Sequence, residues 1–288
     1  MENTNYTYIK TREELIAYLK DLEDRKCRII ALDTEGENNL RAYGEALALV
    51  QVFDGLDKVI IDPLAIDNQS LKAFFENRDI LKIMYDASSD SSLLKNACNI
   101  DMKSVLDLRP AVDLLKLDKQ DLHSVIASEL GVTLTKKAKF QRHNWMKRPI
   151  DKEALEYAIN DVTYLFHLKD ALLKKLYAEN LLEMFILKNL KVQNKDYFRD
   201  PEEKHRKLKG YHTLSDAQKR TFKKLFDIRE KYAKKCNLPA FNVINTNDLL
   251  NLARDAGYID KIRFSRRFGD SLIQSMVEEL RNIGRGER

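Results

Sequence analysis

The sequence predicts a mixed α/β domain followed by a small all-helical unit. Within the first 85 residues, short apolar runs end at polar or glycine residues, as is typical of buried strands. From residue 89 onward, apolar residues instead recur at the three-to-four-residue spacing of helices. The sequence shows neither a strict alternation of strands and helices nor a Gly-rich phosphate loop, which argues against a dinucleotide-binding fold.

Local signals place the elements of the first domain. Thr11 to Glu14 form a capping box at the start of a first helix, and the Asp-Gly-Leu-Asp turn at 54–57 predicts a hairpin. The predicted strands cover 28–34, 46–53, 58–61 and 81–85. The predicted helices cover 71–76, 89–97, 110–115, 122–130 and 152–179.

The helical unit differs in composition from this first domain. Over 196–211 the apolar period lapses into charged residues with Pro201 and Gly210, which predicts a linker. Ser215 caps a new helix that runs to about 235, and helices over 248–256 and 270–283 follow. We therefore expect domains at 1–195 and 212–288.

The net charge of +5 is unevenly distributed along the chain. From Glu203 to the end, 20 Lys and Arg face 11 Asp and Glu, which gives +9, whereas the remainder carries −4. Such an asymmetry indicates a carboxy-terminal module that meets polyanions. A lysine-rich surface that serves only solubility gives the same pattern, so charge alone leaves both interpretations open.

Composition also restricts location and partners. Without about eighteen consecutive apolar residues the chain has no membrane-spanning helix, and its acidic amino-terminal stretch is no secretory signal. Cys27, Cys98 and Cys236 are odd in number and have no metal-type spacing. We expect a cytoplasmic protein, and no long exposed heptad indicates an obligate protein partner.

Four carboxylates and a tyrosine stand where these elements would bring them together. Asp33 and Glu35 share one face of a strand, Asp90 opens the helix after the fourth strand, and Tyr157 and Asp161 stack on a helix. Half-buried acids need a cation, and Mg²⁺ or Mn²⁺ pairs held by hard oxygen ligands cut phosphodiesters. All four acids are candidate metal ligands. Glu35 and Tyr157 are the candidate catalytic residues, with Tyr157 holding the attacking water.

These segments resemble the three motifs of the DEDD superfamily of 3′–5′ exonucleases, in its tyrosine branch, and most closely ribonuclease D. The stretch Leu-Glu-Tyr-Ala-Ile-Asn-Asp-Val-Thr-Tyr-Leu is similar to the third motif, and Gln141, Trp145, Arg148 and Pro149 match a segment just upstream. The resemblance covers about 5–190. It implies a ribonuclease H-like mixed sheet flanked by helices, two divalent metal ions, and release of 5′-nucleotides from RNA 3′ ends, such as those of tRNA precursors.

The carboxy-terminal unit resembles a single helicase-and-ribonuclease-D C-terminal (HRDC) domain. Arg229, Glu230, Ala233 and the stretch 237–244 match its pattern. Such a domain implies an auxiliary nucleic-acid contact, which agrees with the charge of +9.

A basic segment with interleaved aromatic residues precedes the third motif. Lys136, Lys137 and Arg142 are candidate RNA contacts, and we interpret Trp145 as a buried anchor. Tyr85 is also a candidate contact. It stands five residues before Asp90, where the family often has histidine, and this departure bears on substrate preference.

The residues leave two alternatives open and several polar side chains unassigned. A 3′–5′ DNA exonuclease would use the same carboxylates, and a catalytically idle nucleic-acid-binding protein would share the scaffold. The five histidines have no pairwise metal spacing, so none is assigned as a ligand. Asp107 is interpreted as a helix-capping or strand-end hydrogen-bonding residue.

Overall fold

The computed structural model describes residues 6–134, 140, 143–265 and 268–285. The chain forms two compact units. Unit 1 contains the residues up to Gly36 together with Ala46–Phe198, and unit 2 contains Glu37–Glu45 and the residues from Arg199 onward. Within the described ranges, no helix has the length and apolar character needed to cross a lipid bilayer.

Unit 1 is built on a six-stranded mixed sheet in the order β1-β4-β3-β2-β5-β6. The β3–β4 pair is antiparallel, whereas β1–β4, β2–β5 and β5–β6 are parallel. The predicted mixed α/β architecture is confirmed. The strands are β1 (Thr7–Ile9), β2 (Ile29–Asn38), β3 (Glu45–Phe53), β4 (Lys58–Ile61), β5 (Leu81–Met84) and β6 (Val105–Asp107).

Helices cover both faces of this sheet. One hydrophobic core joins the sheet to α1–α3, and a second joins the opposite face to α4–α8. The second face carries the longer helical run, which brings the third motif over the sheet. The helices are α1 (Arg12–Asp24), α2 (Asn68–Phe75), α3 (Ser88–Cys98), α4 (Arg109–Leu114), α5 (Leu122–Leu130), α6 (Lys152–Thr163), α7 (Leu165–Ala178) and α8 (Leu182–Asn194).

The structure departs from the predicted elements of unit 1 in several places, one of which is α8, since no helix was predicted beyond 179. β1 and β6 have three residues each, too few for a visible period, and are strands because they pair with β4 and β5. The single helix predicted over 152–179 is two helices, because the helical backbone is interrupted at Tyr164, whose φ is −103° and ψ is 0°.

Unit 2 is a helical bundle with its own core. A capping box at Ser215 begins the first helix, as the sequence predicts. Its four helices are α9 (Asp216–Cys236), α10 (Ala240–Val243), α11 (Thr246–Arg254) and α12 (Asp270–Arg285), and its 3₁₀ helices are Pro201–Lys207, Tyr211–Thr213 and Ala256–Lys261.

Two segments of unit 2 lie outside the predicted 212–288. The stretch 196–211, predicted as a linker, contains the 3₁₀ helix Pro201–Lys207, whose His205 is buried against the rings of Tyr211 and Phe226. The segment Glu37–Glu45 also belongs to unit 2. There Tyr43 donates its hydroxyl proton to a Glu230 oxygen at 3.0 Å.

Candidate active site

The alternation of β2 aims its two acids at the face covered by α6. Ile30 and Leu32 pack into the core shared with α1–α3, whereas Ala31 packs into the core on the opposite face. Asp33 and Glu35 have the parity of Ala31, so they point toward the α4–α8 side. They lie in the middle of β2, because the strand continues past the predicted end at 34 to Asn38. The shared face predicted for these two acids is therefore observed.

Asp90 reaches the β2 acids from α3, which packs on the opposite face of the sheet. It lies in the first turn of α3, and its Oδ1 accepts the hydroxyl proton of Thr34 at 2.5 Å. The turn before α3 is held by Asp107, whose carboxylate accepts from the backbone N–H groups of Asp86 (2.8 Å) and Ala87 (3.1 Å). Asp107 thus has the hydrogen-bonding role predicted for it and fixes the segment that carries Asp90.

Helix α6 supplies the third motif. One carboxylate oxygen each of Asp33, Glu35 and Asp161 lies within 4.8 Å of the others, a grouping that fits a metal site. Tyr157 lies one turn before Asp161 on α6, with its ring 5.1 Å from Phe140 between centroids. The spacing of four residues therefore places both side chains at the cluster.

His123 on α5 is a member of this site that the sequence did not reveal. Its Nε2 lies 2.7 Å from Asp161 Oδ1, and its ring is 5.8 Å from that of Tyr157. Because α5 is distant in the chain and His123 has no metal-type spacing, only the fold brings it to the carboxylates. Side chains that hydrogen-bond a ligating carboxylate fix its orientation.

The cluster is electrostatically strained. Burial, followed by repulsion from the neighbouring carboxylates, raises the pKa values of Asp33 and Glu35 well above their ordinary values. Burial likewise raises the pKa of Asp90 to about 6 and the pKa of Asp161, which the hydrogen bond from His123 opposes. Among the described residues, no Lys or Arg forms an ion pair with these four acids. The donor set of hard oxygens without a counter-charge fits divalent cations.

Close packing at Gly36 and the hydrogen bonds of Arg148 hold the backbone around the acids in place. A Cβ at Gly36 would come within 2.5 Å of Leu93 Cδ2 and 3.1 Å of the Ala46 carbonyl oxygen, so a larger residue directly after Glu35 would have to displace the Leu93 side chain. Arg148 binds both carboxylate oxygens of Asp62, at 2.6 and 2.7 Å, and also donates to the Ala48 carbonyl oxygen at 2.6 Å. These bonds anchor the segment before α6 to the sheet.

Of the candidate nucleic-acid contacts, Tyr85 lies within the residues that the structure describes. Lys136, Lys137 and Arg142 lie outside the described residues. Tyr85 is half-buried, and its hydroxyl donates to the backbone carbonyl oxygen of Gln120. Trp145 is buried in the core on the α4–α8 side, as its interpretation as an anchor predicts.

The fold and a cluster of acids that could hold a metal ion are typical of metal-dependent nucleases, and comparisons with known proteins show the family. The chain belongs to the 3′–5′ exonuclease family, whose sequence model matches residues 6–177. A ribonuclease D of Xanthomonas oryzae is 31% identical over 230 residues, which cover 78% of this chain and 62% of that protein. The chain thus spans less than two thirds of the length of this relative.

Solved structures share the fold. The crystal structure of Escherichia coli RNase D, described as an exoribonuclease involved in structured RNA processing, superposes with a TM-score of 0.75 at 25% identity. The match covers 97% of this chain and 75% of that protein. Brucella melitensis NrnC with bound Mg²⁺ matches 68% of this chain and 98% of its own, with a TM-score of 0.53 at 20% identity. The resemblance to ribonuclease D is confirmed.

Proposed function

We propose that this chain is a metal-dependent 3′–5′ exoribonuclease that releases 5′-nucleotides one at a time from RNA 3′ ends. The observation that carries the proposal is the convergence of Asp33, Glu35 and Asp161, with Asp90 adjoining, in a site that no described Lys or Arg neutralises. The ribonuclease D relatives support RNA as the substrate. Processing of tRNA precursors or other structured RNAs is the expected role.

We infer that the cations are two Mg²⁺ or Mn²⁺ ions held by the four acids. The Mg²⁺ bound to the NrnC structure supports the choice of a hard divalent ion. Such ions would neutralise the carboxylates, polarise the scissile phosphate and lower the pKa of the attacking water. Asp33, Glu35, Asp90 and Asp161 would hold them.

Tyr157 would orient the attacking water without deprotonating it. Burial, followed by the charges of Asp161, Glu35 and Asp33, raises the pKa of Tyr157 to about 12, so its hydroxyl keeps its proton at neutral pH. A protonated hydroxyl can donate to or accept from a water molecule at a fixed position. Glu35, the second proposed catalytic residue, would accept a hydrogen bond from that water.

Unit 2 is proposed to be an HRDC-like contact for nucleic acid. The charge of +9 from Glu203 onward supports this role, because basic surfaces attract the RNA backbone. Lys136, Lys137, Arg142 and Tyr85 remain predicted contacts, and the cytoplasmic location remains a prediction.

Digestion of a 5′-labelled single-stranded RNA with Mg²⁺, Mn²⁺ or EDTA tests the proposal. We expect a one-nucleotide ladder from the 3′ end that EDTA and Asp33→Asn both abolish. Tyr157→Phe should slow each step by about 10²-fold or more, since it removes the group that positions the water. Unchanged cleavage by both variants would contradict the assigned site.

A DNA oligonucleotide of the same sequence serves as the parallel substrate. Faster digestion of the RNA than of the DNA is expected from an exoribonuclease. Faster digestion of the DNA would instead support the repair-type alternative, because two-metal chemistry does not need the 2′-hydroxyl.

A further inference from the structure

Unit 2 contains a cavity of about 320 Å³ that the proposed catalytic centre does not use. The segment Glu37–Glu45 and residues of α9 and α10 line it, together with Lys204 from the preceding 3₁₀ helix. Small-molecule sites begin at about this volume and combine apolar rings with a few convergent polar groups. The cavity is therefore large enough for one nucleobase.

The apolar wall of the cavity is held rigidly. The Phe226 ring packs against the guanidinium of Arg229, 4.9 Å from its centroid, and against the ring of His205, whose centroid lies 5.8 Å away. Arg229 is buried and donates to Glu230 Oε1 at 2.8 Å, while the second oxygen of Glu230 accepts from Tyr43. Both charges are satisfied within the wall, so the site is pre-organised.

An exposed ring and polar groups of the lining are available to bind a ligand. The Phe241 side chain is 49% exposed, although large aromatic residues are usually covered. Asn39 uses its Oδ1 to accept from Gly44 N–H at 3.2 Å. Within the described part of the chain, the amide of Asn38 and the ammonium of Lys204 have no hydrogen-bond or ion-pair partner. An exposed ring beside amide groups offers stacking together with donors and acceptors for a base edge.

The charge of the lining indicates a base, not a phosphate. Glu230 pairs with Arg229 and Glu45 pairs with Arg199, each at 2.8 Å, so the lining offers little of the positive excess that contacts to phosphate need. Accepting the proposed function, on which this step rests, we propose that the cavity binds one unpaired nucleobase of the RNA, stacked on Phe241. Recognition of splayed bases by rings and amides is the usual mode for single-stranded RNA.

Binding of a short fluorescein-labelled single-stranded RNA to the full chain tests this assignment. EDTA prevents cleavage, and fluorescence anisotropy gives the Kd. Phe241→Ala should raise the Kd at least about five-fold, which corresponds to about 1 kcal/mol, the lower value for one stacked base. The control is Phe198→Ala, because Phe198 has a similarly exposed ring (56%) and does not line the cavity.

Abasic RNAs identify the cause of the loss. The base is removed from one RNA position at a time, and each RNA is titrated with the wild-type and Phe241→Ala proteins. At one position we expect wild-type binding to weaken as much as in the variant, with no further loss in the variant, because the two changes remove one contact. Additive losses at every position, or equal effects of the two Phe substitutions, would overturn the assignment.

The same preparations separate this inference from the proposed function. An intact nucleotide ladder with an unchanged Kd for Phe241→Ala contradicts the base-binding cavity alone. Base-dependent binding without metal-dependent nucleotide release supports the cavity and contradicts the exonuclease assignment alone.

Discussion

Replacing Asp90 with asparagine should stabilise the metal-free protein. Burial raises the pKa of Asp90 from 3.8 to about 6, a shift of about 2 pH units. At about 1.4 kcal/mol per unit, the ionised side chain costs about 3 kcal/mol at neutral pH. Asparagine keeps an oxygen for the Thr34 hydroxyl but forfeits about 0.3–1 kcal/mol of favourable charge at the start of α3. The expected net gain is therefore about 2 kcal/mol.

The pH dependence provides a second signature. Folded Asp90 takes up its proton at a higher pH than unfolded Asp90, so the wild-type protein gains stability from this group as pH falls from about 6 to about 4. The Asp90→Asn protein lacks that gain. The difference between the two proteins is therefore largest above about pH 6 and is lost below about pH 4.

Urea unfolding followed by circular dichroism, with EDTA present, measures the free energy of unfolding of both proteins at neutral pH and below about pH 4. The control is Asp118→Asn, because Asp118 is exposed and its substitution should change stability by less than about 0.5 kcal/mol. Excess Mg²⁺ should reverse the order, since ions that bind the folded wild-type site stabilise it by mass action. The reasoning is refuted if Asp90→Asn is no more stable than wild type at neutral pH without metal.

Two further substitutions test the surroundings of the acids. His123→Ala should raise the Mg²⁺ concentration for half-maximal cleavage, or lower the cleavage rate, by about 10-fold or more, because Asp161 loses its hydrogen-bond partner. The control His167→Ala, at an exposed position, should behave as wild type. Equal Mg²⁺ titrations of both variants would remove His123 from the site. Arg148→Lys should lower the free energy of unfolding by about 1–3 kcal/mol at neutral pH, because lysine cannot bind both oxygens of Asp62. Burial acts to raise the pKa of Asp62, but the hydrogen bonds from Arg148 and Tyr8 lower it overall. The stability lost by Arg148→Lys should therefore shrink when urea unfolding is repeated toward about pH 3. A loss of stability that does not change with pH would contradict the ion-pair explanation.

The parts of the site that depend on short-range geometry are predictable from the sequence. Strand parity places Asp33 and Glu35 on one face, and the helical repeat places Tyr157 above Asp161. His123 has no such signal, because its neighbours in the chain say nothing of the 2.7 Å contact to Asp161. The three-residue strands β1 and β6 are likewise defined by their partners and not by their own composition.

Composition is a poor guide where burial is created by another part of the chain. The charged stretch 196–211 has the composition of a linker, yet its His205 is buried because Tyr211 and Phe226 cover its ring. Tyr43 lies between two strands in sequence but belongs to unit 2, where it bonds Glu230. In both places the residues that bury the side chain lie outside the local sequence pattern, so local periodicity does not reveal them.

The acids are visible in the sequence for the same reason that they are costly in the fold. A carboxylate that ends an apolar run becomes buried when the strand packs, and burial raises its pKa unless a cation compensates. A core selected for stability alone would place apolar residues at Asp33 and Asp161. A divalent ion that binds after folding would explain why Asp33 and Asp161 occupy these positions with no described Lys or Arg paired to them. The stability lost by the metal-free protein and the proposed metal requirement of cleavage should then have one origin.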